Sequence, residues 1–481
     1  MINNLILSTD SYKASHWVQY PKGTEQVYAY VESRGGKFDR SVFFGMQMWL
    51  KKYLSQPITI DDVIEAQEFW SAHGEPFNAS GWIDIINKHN GMLPVRIKAV
   101  PEGTVVTAHN VLATIENTDP NAYWLPSYLE TAMLRALWYP TTVATISWHC
   151  KQIIKAAIDK SSDDLAQLPF KLHDFGARGV SSHESAEIGG LAHLVNFMGT
   201  DTMEAVVAAR RYYNEPMAGF SIPAAEHSTI TSWTRDGEVD AYRNMIHHFG
   251  GKGKLVAVVS DSYDIYKATE EIWGSTLKKE VLKSGATVVI RPDSGDPLTV
   301  PVEIVASLSR TYGFTVNSKG YKVLNPAVRV IQGDGINIDS LPKIIDNLLN
   351  AGFAIDNLAF GMGGGLLQHC NRDTLKFAMK TSAAKVNGEW RDVYKDPIGD
   401  HSKMSKKGHL ALTVKHTVTK EGIDTEFATV PENSIPSYNN LLETVFENGK
   451  LVKETTFSKV RSNSMKSVQE VGSNVMIRMG E

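Results

Sequence analysis

The chain has 481 residues and a formal net charge of −4. This length exceeds what one ordinary hydrophobic core supports, so two domains or one enlarged barrel are expected. The slight acidity excludes a general nucleic-acid binder, because such proteins carry a surplus of positive charge. Two cysteines, Cys150 and Cys370, without a CxxC motif argue against a disulfide framework and a zinc site. No apolar run reaches the roughly 18 residues of a membrane helix and no signal peptide is recognisable, so we expect a cytoplasmic protein.

The first part of the chain predicts a mixed segment of helices and strands. Alternation of apolar and polar residues, together with turn signals, predicts strands at 26–32, 93–100, 103–107 and 111–115. Helical spacing of apolar residues predicts helices at 46–54, 58–70, 124–138 and 145–158.

From Pro169 onward a different pattern repeats, in which an apolar run is followed by Asp, His, Arg or Gly. Seven predicted strands end in this way, at 173–178, 197–201, 221–227, 260–264, 291–293, 332–335 and 361–365. The ends lie mostly about 25–40 residues apart, which fits a strand plus a covering helix. Seven such units favour a β/α barrel, whose strands all present their carboxyl ends on one face. A doubly wound open sheet is the alternative.

The stretch after Lys380 is basic and rich in turns, and the tail beyond it alternates short strands with polar loops. Alone this tail is too small for a good core, so we expect it to rejoin the N-terminal segment. The predicted fold class is therefore α/β, an irregular β/α barrel over residues 161–384. A second α+β domain is predicted from both chain termini, residues 1–160 plus 385–481.

The strand at Thr287–Ile290 leads into a fixed cation, Arg291, and two carboxylates, Asp293 and Asp296. Such carboxylates suit Mg²⁺ or positive charge on a substrate, the alternative being a solvated surface pair. Asp334, between two glycines, suits the vicinal hydroxyls of a sugar, and an Asp-Gly turn is the alternative.

The run Gly361–Gly365 is predicted to open a helix and to bring backbone N–H groups to a phosphate, with a tight turn as the alternative. Arg372 is expected about two turns into that helix, from where it reaches back. His227 and Asp261 end different strands and would form a carboxylate-oriented imidazole, although a lone histidine is more often structural. Further cations for a di- or triphosphate are Arg178, Arg291, Lys395, Lys403, Lys406 and Lys407, with a solvated basic loop as the alternative.

These strand ends, in this order, resemble the nicotinamide phosphoribosyltransferases, a family of type II phosphoribosyltransferases. The resemblance runs from Thr9–Lys13 to Phe446–Lys450. Its most specific pieces are the runs at 172–176, 223–229, 259–264, 290–295, 330–335 and 405–408. It implies transfer of a phosphoribosyl group from phosphoribosyl pyrophosphate to nicotinamide, with Mg²⁺. It also implies ATP-dependent phosphorylation of His227 and a homodimer whose active sites are shared between subunits.

The resemblance implies a role for each site residue. The pyridine ring would stack between Phe175 and Tyr12 of the partner subunit, and Asp201 would accept a hydrogen bond from the carboxamide. Asp261 would orient His227, and Asp293 would offset positive charge on the ring and ribose. Further substrate-binding residues would be Arg178, Ser221, Arg291, Gly333, Asp334, Gly363, Gly364 and Arg372. Pyrophosphate or ATP would be bound by Arg34, Lys380, Lys395 and Lys403.

Two departures from the vertebrate members are visible, Ala257 in place of serine and Ala177 in place of an aromatic residue, and neither removes a catalytic group. Three other functions compete with this interpretation. Nicotinate as the substrate is opposed by the carboxylate of Asp201. A non-catalytic binding protein on the same fold is opposed by the intact set of candidate residues. An unrelated barrel enzyme acting on sugar phosphates would leave Phe175 and Asp201 without a purpose.

Overall fold

The computed structural model describes residues 4–399, 404–419 and 422–470. The chain divides into two compact units. Unit 1 comprises Met1–Thr145, Ala209–Glu215 and Cys370–Glu481, and unit 2 comprises Ile146–Ala208 and Pro216–His369. The predicted domain limits at 160/161 and 384/385 stay a prediction, because compactness does not test independent folding. In the described ranges no helix has the length and apolar character needed to cross a membrane.

The α-helices of the described chain are α1 Met46–Trp49, α2 Ile60–His73, α3 Ala79–His89, α4 Leu125–Tyr128, α5 Glu130–Ser161, α6 His183–Leu194, α7 Met203–Tyr213, α8 His227–Thr231, α9 Glu238–Phe249, α10 Ile265–Lys267, α11 Lys278–Ser284, α12 Val300–Tyr312, α13 Leu341–Asn350, α14 Gly364–Leu367 and α15 Phe457–Glu470. Two π-helical turns, Leu50–Leu54 and Ala268–Thr276, continue α1 and α10.

The strands are β1 Thr24–Ser33, β2 Arg40–Val42, β3 Val95–Ala99, β4 Val105–Thr107, β5 Val111–Asn117, β6 Leu172–Asp174, β7 Gly199–Thr200, β8 Leu255–Val259, β9 Thr287–Arg291, β10 Phe314–Val316, β11 Lys322–Leu324, β12 Val328–Gln332, β13 Leu358–Met362, β14 Phe377–Val386, β15 Glu389–Asp392, β16 Leu410–Thr419, β17 Gly422–Pro431, β18 Glu443–Glu447 and β19 Lys450–Leu451.

Unit 1 contains a seven-stranded sheet in the order β15-β14-β1-β5-β3-β18-β19. Each neighbouring pair is antiparallel. The C-terminal strands β14 and β18 pair directly with the N-terminal strands β1 and β3. The tail of the chain therefore completes a sheet that begins near the N-terminus, as the sequence predicts.

Unit 2 contains six parallel strands in the order β7-β6-β13-β12-β9-β8. Residues 220–225 lie between the two outer strands, because Phe220 bridges to Gly199 in β7 and Ala224 bridges to Ala257 in β8. Backbone hydrogen bonds from Thr200 N–H to Phe220 O (3.1 Å) and from Ala225 N–H to Ala257 O (2.9 Å) hold these junctions. This segment supplies the seventh predicted strand end, and the parallel sheet curls into the predicted irregular β/α barrel.

The local sequence explains why the barrel elements form. The middle residues of β9 are buried β-branched side chains, which is typical of a parallel strand covered on both faces. In α13 the buried residues Leu341, Ile344, Ile345 and Leu348 follow helical spacing on one face. Pro342 lies in its first turn, where a missing N–H costs nothing.

The prediction of separate helices at 124–138 and 145–158 is wrong, because α5 continues unbroken through Pro140. A proline inside a helix removes one backbone donor and usually ends the helix. The Thr142 and Thr145 hydroxyls donate to Trp138 O at 2.5 Å and Thr141 O at 2.6 Å, but neither replaces the N–H that Pro140 lacks. Residues 140–150 are all buried, so packing around this part of the helix outweighs the local cost of the proline.

Candidate active site

The carboxyl ends of the barrel strands present polar residues at one face of unit 2. The strand ends and the residues just after them are Asp174, Asp201, Asp261, Arg291, Gly333 and Gly363. Because the strands are parallel, their carboxyl ends meet at the same edge of the sheet, where barrel enzymes place their reacting groups. The geometry at this edge therefore decides which of the predicted residues act together.

Phe175 packs closely against glycines at this face. Its backbone N–H donates to Met362 O at 3.0 Å, which ties the end of β6 to β13. A Cβ built on Gly361 would be 2.0 Å from Phe175 Cε2, and one built on Gly333 would be 3.0 Å from the same atom. Side chains at these two positions would displace the ring. The glycines thus leave a platform on which a planar group can stack.

Asp201 follows β7 and directs half of its side-chain surface to solvent. His173 Nε2–H donates to its Oδ1 at 2.9 Å, and the Ser221 hydroxyl donates to the same oxygen at 2.6 Å. Partial burial raises the pKa of Asp201, but the hydrogen bond and charge of His173, the Ser221 hydroxyl and the charge of Arg291 outweigh it and lower that pKa overall. The site therefore holds an ionised, accessible carboxylate beside the aromatic platform.

Asp174 fixes the turn that carries Phe175. Its side chain is fully buried, and its Oδ1 accepts a hydrogen bond from Gly176 N–H at 2.7 Å. Its Oδ2 accepts from the Thr200 hydroxyl at 3.2 Å. Burial raises the pKa of Asp174 overall, although these hydrogen bonds oppose the shift. A buried carboxyl that bonds the turn after β6 and the end of β7 has a structural part in this site.

His227 and Asp261 are 34 residues apart in sequence and in direct contact in the structure. The His227 Nε2–H donates to Asp261 Oδ1 at 2.9 Å, and the Ser294 hydroxyl donates to Asp261 Oδ2 at 2.6 Å. The Asp261 side chain is only 4% exposed, whereas that of His227 is 46% exposed. A carboxylate accepts hydrogen bonds only, so Nε2 carries the proton of this contact and Nδ1 is the ring nitrogen that Asp261 leaves unoccupied.

Asp293 lies close to both His227 and Arg291. Its Oδ2 is 3.9 Å from His227 Nδ1, and its Oδ1 is 3.7 Å from Arg291 Nε. Both separations exceed hydrogen-bond length, so neither contact occupies the carboxylate. The Nε of Arg291 is buried without a hydrogen-bond partner among the described residues. A Cβ built on Gly333 would be 3.8 Å from Asp293 Oδ1, so the space beside this glycine has an aromatic ring on one side and a carboxylate on the other.

The described residues contain no cluster of three or more His, Cys, Asp or Glu side chains able to hold a metal ion. Mg²⁺ is often held by one or two carboxylates together with substrate phosphates and water. Asp293, whose oxygens accept no hydrogen bond from the described chain, fits that kind of binding. The residues present therefore suit a magnesium ion that arrives with a phosphorylated substrate.

The glycine-rich loop after β13 opens α14, as predicted. A Cβ built on Gly363 would be 3.5 Å from Phe175 O, and Gly179 in the turn after β6 lies against Gly364. The neighbouring Arg178 is exposed. The predicted position of Arg372 two turns into this helix is wrong, because α14 ends at Leu367. Arg372 instead begins a separate 3-10 turn, Arg372–Thr374, whose capping residue Asn371 accepts from the backbone.

The remaining predicted residues belong to unit 1. Tyr12 lies in a 3-10 helix, Ser11–Val18, with 56% of its surface exposed. Arg34 follows β1 and donates from Nε to Glu32 Oε1 at 2.7 Å. Lys380 is exposed in β14 opposite Tyr30, and Lys395 is exposed after β15. Lys403 lies outside the described residues.

Three residues of the site, Asp174, His173 and Ser294, have no role in the sequence prediction. His173 and Ser294 lie inside motifs that the sequence analysis uses, but neither is predicted to act. Ser294 supports Asp261, and His173 supports Asp201. A signal for His173 exists in the sequence, since it is at the end of a strand next to the one that leads to Asp201.

Comparison with known proteins gives consistent family matches. A family model described as the nicotinate phosphoribosyltransferase (NAPRTase) family matches residues 170–450, and one described as the nicotinamide phosphoribosyltransferase N-terminal domain matches residues 4–97. A Xanthomonas campestris pv. campestris protein named nicotinamide phosphoribosyltransferase is 57% identical over 466 residues, covering 96% of this chain and 98% of the relative. An Acinetobacter baylyi protein of the same name is 32% identical, covering 95% and 96%.

Among solved structures, nicotinate-nucleotide pyrophosphorylase from Pyrococcus furiosus superimposes with a TM-score of 0.60. The match covers 97% of this chain and 96% of that one at 17% sequence identity. At this identity the likeness shows the shared fold alone. It agrees with the barrel fold of unit 2 and the mixed fold of unit 1.

We expect Gly361→Ala to displace the Phe175 ring, because the new Cβ would lie 2.0 Å from it. Overpacking of this kind lowers the free energy of unfolding by about 1–3 kcal/mol, as chemical denaturation would measure. Gly179→Ala is the matched control, since its Cβ would meet nothing closer than 3.8 Å and should cost under about 0.5 kcal/mol. Equal stability of the two variants would contradict the packing described here.

Proposed function

Because the chain belongs to the nicotinate phosphoribosyltransferase family, we propose that it transfers the phosphoribosyl group of phosphoribosyl pyrophosphate to nicotinamide. The products are nicotinamide mononucleotide and pyrophosphate, a step of NAD salvage. One observation carries the choice of nicotinamide over nicotinate: the accessible, ionised Asp201 carboxylate beside the Phe175 ring. The name shared by the relatives supports the same choice.

The recognition of the amide follows from hydrogen-bond chemistry. With the pyridine ring on Phe175, the carboxamide NH₂ donates to Asp201 Oδ2, the oxygen to which no described residue donates. The carboxylate of nicotinate has no proton to donate and would be repelled by the charge of Asp201. The Ser221 hydroxyl supports this arrangement by occupying Oδ1. Arg291 lies along the ring and ribose on the other side.

The transfer itself needs little covalent chemistry from the protein. The bond from the anomeric carbon to pyrophosphate breaks, pyrophosphate leaves with the electron pair, and the pyridine nitrogen forms the new bond. Positive charge develops on the ribose as the bond breaks, and the carboxylate of Asp293 offsets it. Mg²⁺, held by Asp293 together with substrate oxygens, would stabilise the negative charge of the leaving pyrophosphate. Positioning by the barrel loops supplies the rest.

The phosphate and sugar contacts are assigned on the same basis. Gly333 and Asp334 receive the ribose hydroxyls, because a glycine lets the backbone approach a ligand closely and the Asp334 carboxylate is exposed. Backbone N–H groups at Gly363 and Gly364 receive the 5-phosphate, with the nearby Arg178 adding positive charge. The assignment of Arg372 to that phosphate, and of Arg34, Lys380, Lys395 and Lys403 to pyrophosphate or ATP, stays a prediction.

A second step at the same face uses ATP. The exposed Nδ1 of His227 attacks the γ-phosphorus, the bond to the leaving oxygen breaks, and ADP departs with the electron pair. Asp261, held by Ser294, keeps the proton on Nε2 and stabilises the positive phosphohistidine. Phosphorylation of His227 would increase the turnover of the transfer reaction and its equilibrium yield of nicotinamide mononucleotide.

We also propose a cytoplasmic homodimer with shared active sites. Phe175 offers one face to the pyridine ring, and the exposed Tyr12 of the partner subunit is suited to cover the other. An aromatic side chain as exposed as Tyr12 is consistent with a position that a second copy covers.

The experiment that tests the proposed function offers purified protein phosphoribosyl pyrophosphate and Mg²⁺ with nicotinamide or with nicotinate, each with and without ATP. Mononucleotide from nicotinamide alone is the expected result. Product from nicotinate alone would leave the transfer chemistry and overturn the substrate assignment. No product from either would favour a binding protein or a sugar-phosphate enzyme on this fold.

Asp201→Asn is expected to relax the preference for the amide, because a neutral side chain no longer repels a carboxylate. The ratio of kcat/KM for nicotinamide to that for nicotinate should fall by about tenfold or more, which corresponds to the loss of one charge-assisted hydrogen bond. Steady-state kinetics with both substrates measure it. An unchanged ratio would remove Asp201 from amide recognition.

His227→Ala is expected to abolish stimulation by ATP while slow basal transfer continues, since the nucleophile of the phosphorylation is lost. The measurement compares initial rates with and without ATP and follows transfer of labelled γ-phosphate to the protein. Asp261→Asn, which keeps the histidine but weakens its orientation, should show partial stimulation. Continued full stimulation of His227→Ala would disprove the phosphohistidine.

A further inference from the structure

His173 stands directly behind the carboxylate that the proposed function uses to select its substrate. Its Nε2 is 2.9 Å from Asp201 Oδ1, and its side chain is only 15% exposed whereas that of Asp201 is 50% exposed. We propose that His173 is a positioning residue that determines specificity for the amide by fixing which oxygen of Asp201 faces the substrate. This inference rests on the proposed function and assigns a further residue to it.

The described residues that donate to the Asp201 side chain all bond to one of its two oxygens. An ionised carboxylate only accepts hydrogen bonds, so the ring nitrogen that faces Asp201 carries its proton. The Ser221 hydroxyl donates to the same oxygen, at 2.6 Å. Two donors are therefore concentrated on Oδ1, and no described residue donates to Oδ2. This asymmetry presents a single acceptor to a ligand, in a defined direction.

Neighbours on two sides hold the His173 ring in place. Its ring lies 5.2 Å from the ring of Phe175, centroid to centroid, at an angle of 55°. On another side the backbone of β7 approaches closely, since a Cβ built on Gly199 would be 2.7 Å from His173 Nδ1. A larger residue at 199 would push the imidazole aside. The same histidine therefore contacts both the stacking platform and the carboxylate, and it fixes the distance between them.

His173 also helps to keep Asp201 ionised by lowering its pKa. Among the groups that lower its pKa against the effect of burial, His173 contributes through both a hydrogen bond and its charge. An ionised Asp201 is needed twice, to accept from an amide and to repel an acid. Loss of His173 would loosen the carboxylate and favour its protonated form, which can itself donate to the carboxylate of nicotinate.

The test uses three variants that change the contact in different ways. His173→Leu removes the hydrogen-bond donor. Gly199→Ala keeps the histidine in the sequence but pushes its ring out of position. His173→Gln is the conservative control, because its amide NH₂ can donate to Asp201 from a similar position. Melting temperatures establish that each variant is folded, and KM and kcat are then measured separately for nicotinamide and for nicotinate.

For His173→Leu and Gly199→Ala we expect KM for nicotinamide to rise by about tenfold, with kcat within about threefold, since one hydrogen bond to a charged group is disturbed away from the reacting atoms. The ratio of kcat/KM for the amide to that for the acid should fall, and His173→Gln should restore most of it. Equal losses for both substrates, or a loss only in kcat, would show that His173 merely supports the fold and would overturn the inference. Failure of the transferase reaction itself would be visible in the wild-type protein, before any variant is compared.

Discussion

The closure of the parallel sheet by residues 220–225 is the constraint on which the site depends. This segment bonds to β7 through Phe220 and to β8 through Ala225, so both outer strands are tied to one stretch of backbone. Ser221 and His227 lie within or next to it, and Asp201 and Asp261 follow the two strands that it joins. Without these backbone hydrogen bonds, the carboxyl ends of β7 and β8 would be held relative to each other only through the four strands between them in the sheet.

The site contains two Asp–His pairs with opposite orientation. In the pair His173–Asp201 the carboxylate faces solvent and the imidazole supports it from behind. In the pair His227–Asp261 the imidazole is the exposed group and the carboxylate is buried. The first arrangement presents a fixed negative charge and suits recognition, whereas the second presents a lone pair and suits attack on phosphorus. In the proposed function, the same two side-chain types would therefore serve substrate recognition in one pair and nucleophilic chemistry in the other.

Much of this site could be predicted because apolar runs followed by charged residues mark the carboxyl ends of barrel strands. All seven predicted strand ends lie at that face of unit 2. Contacts such as that between His227 and Asp261 could not be derived from the sequence, since side-chain separation depends on the order of strands in the sheet. The rule that a proline ends a helix also fails at Pro140, because burial of the surrounding helix outweighs the local cost. The contact between His173 and Asp201 could not be predicted either, because Asp201 follows a neighbouring strand and is not nearby in sequence.

Residues 220–224 differ from the rest of the barrel in being largely exposed and in having bridges instead of a regular strand. Segments with few buried apolar contacts open at a smaller free energy than the core around them. Heat or denaturant will therefore release Ser221 and loosen the approach to His227 while the six regular strands are still folded. Activity will therefore be lost in a local transition that precedes global unfolding. A bound substrate will slow this loss of activity more than it raises the temperature at which the core unfolds.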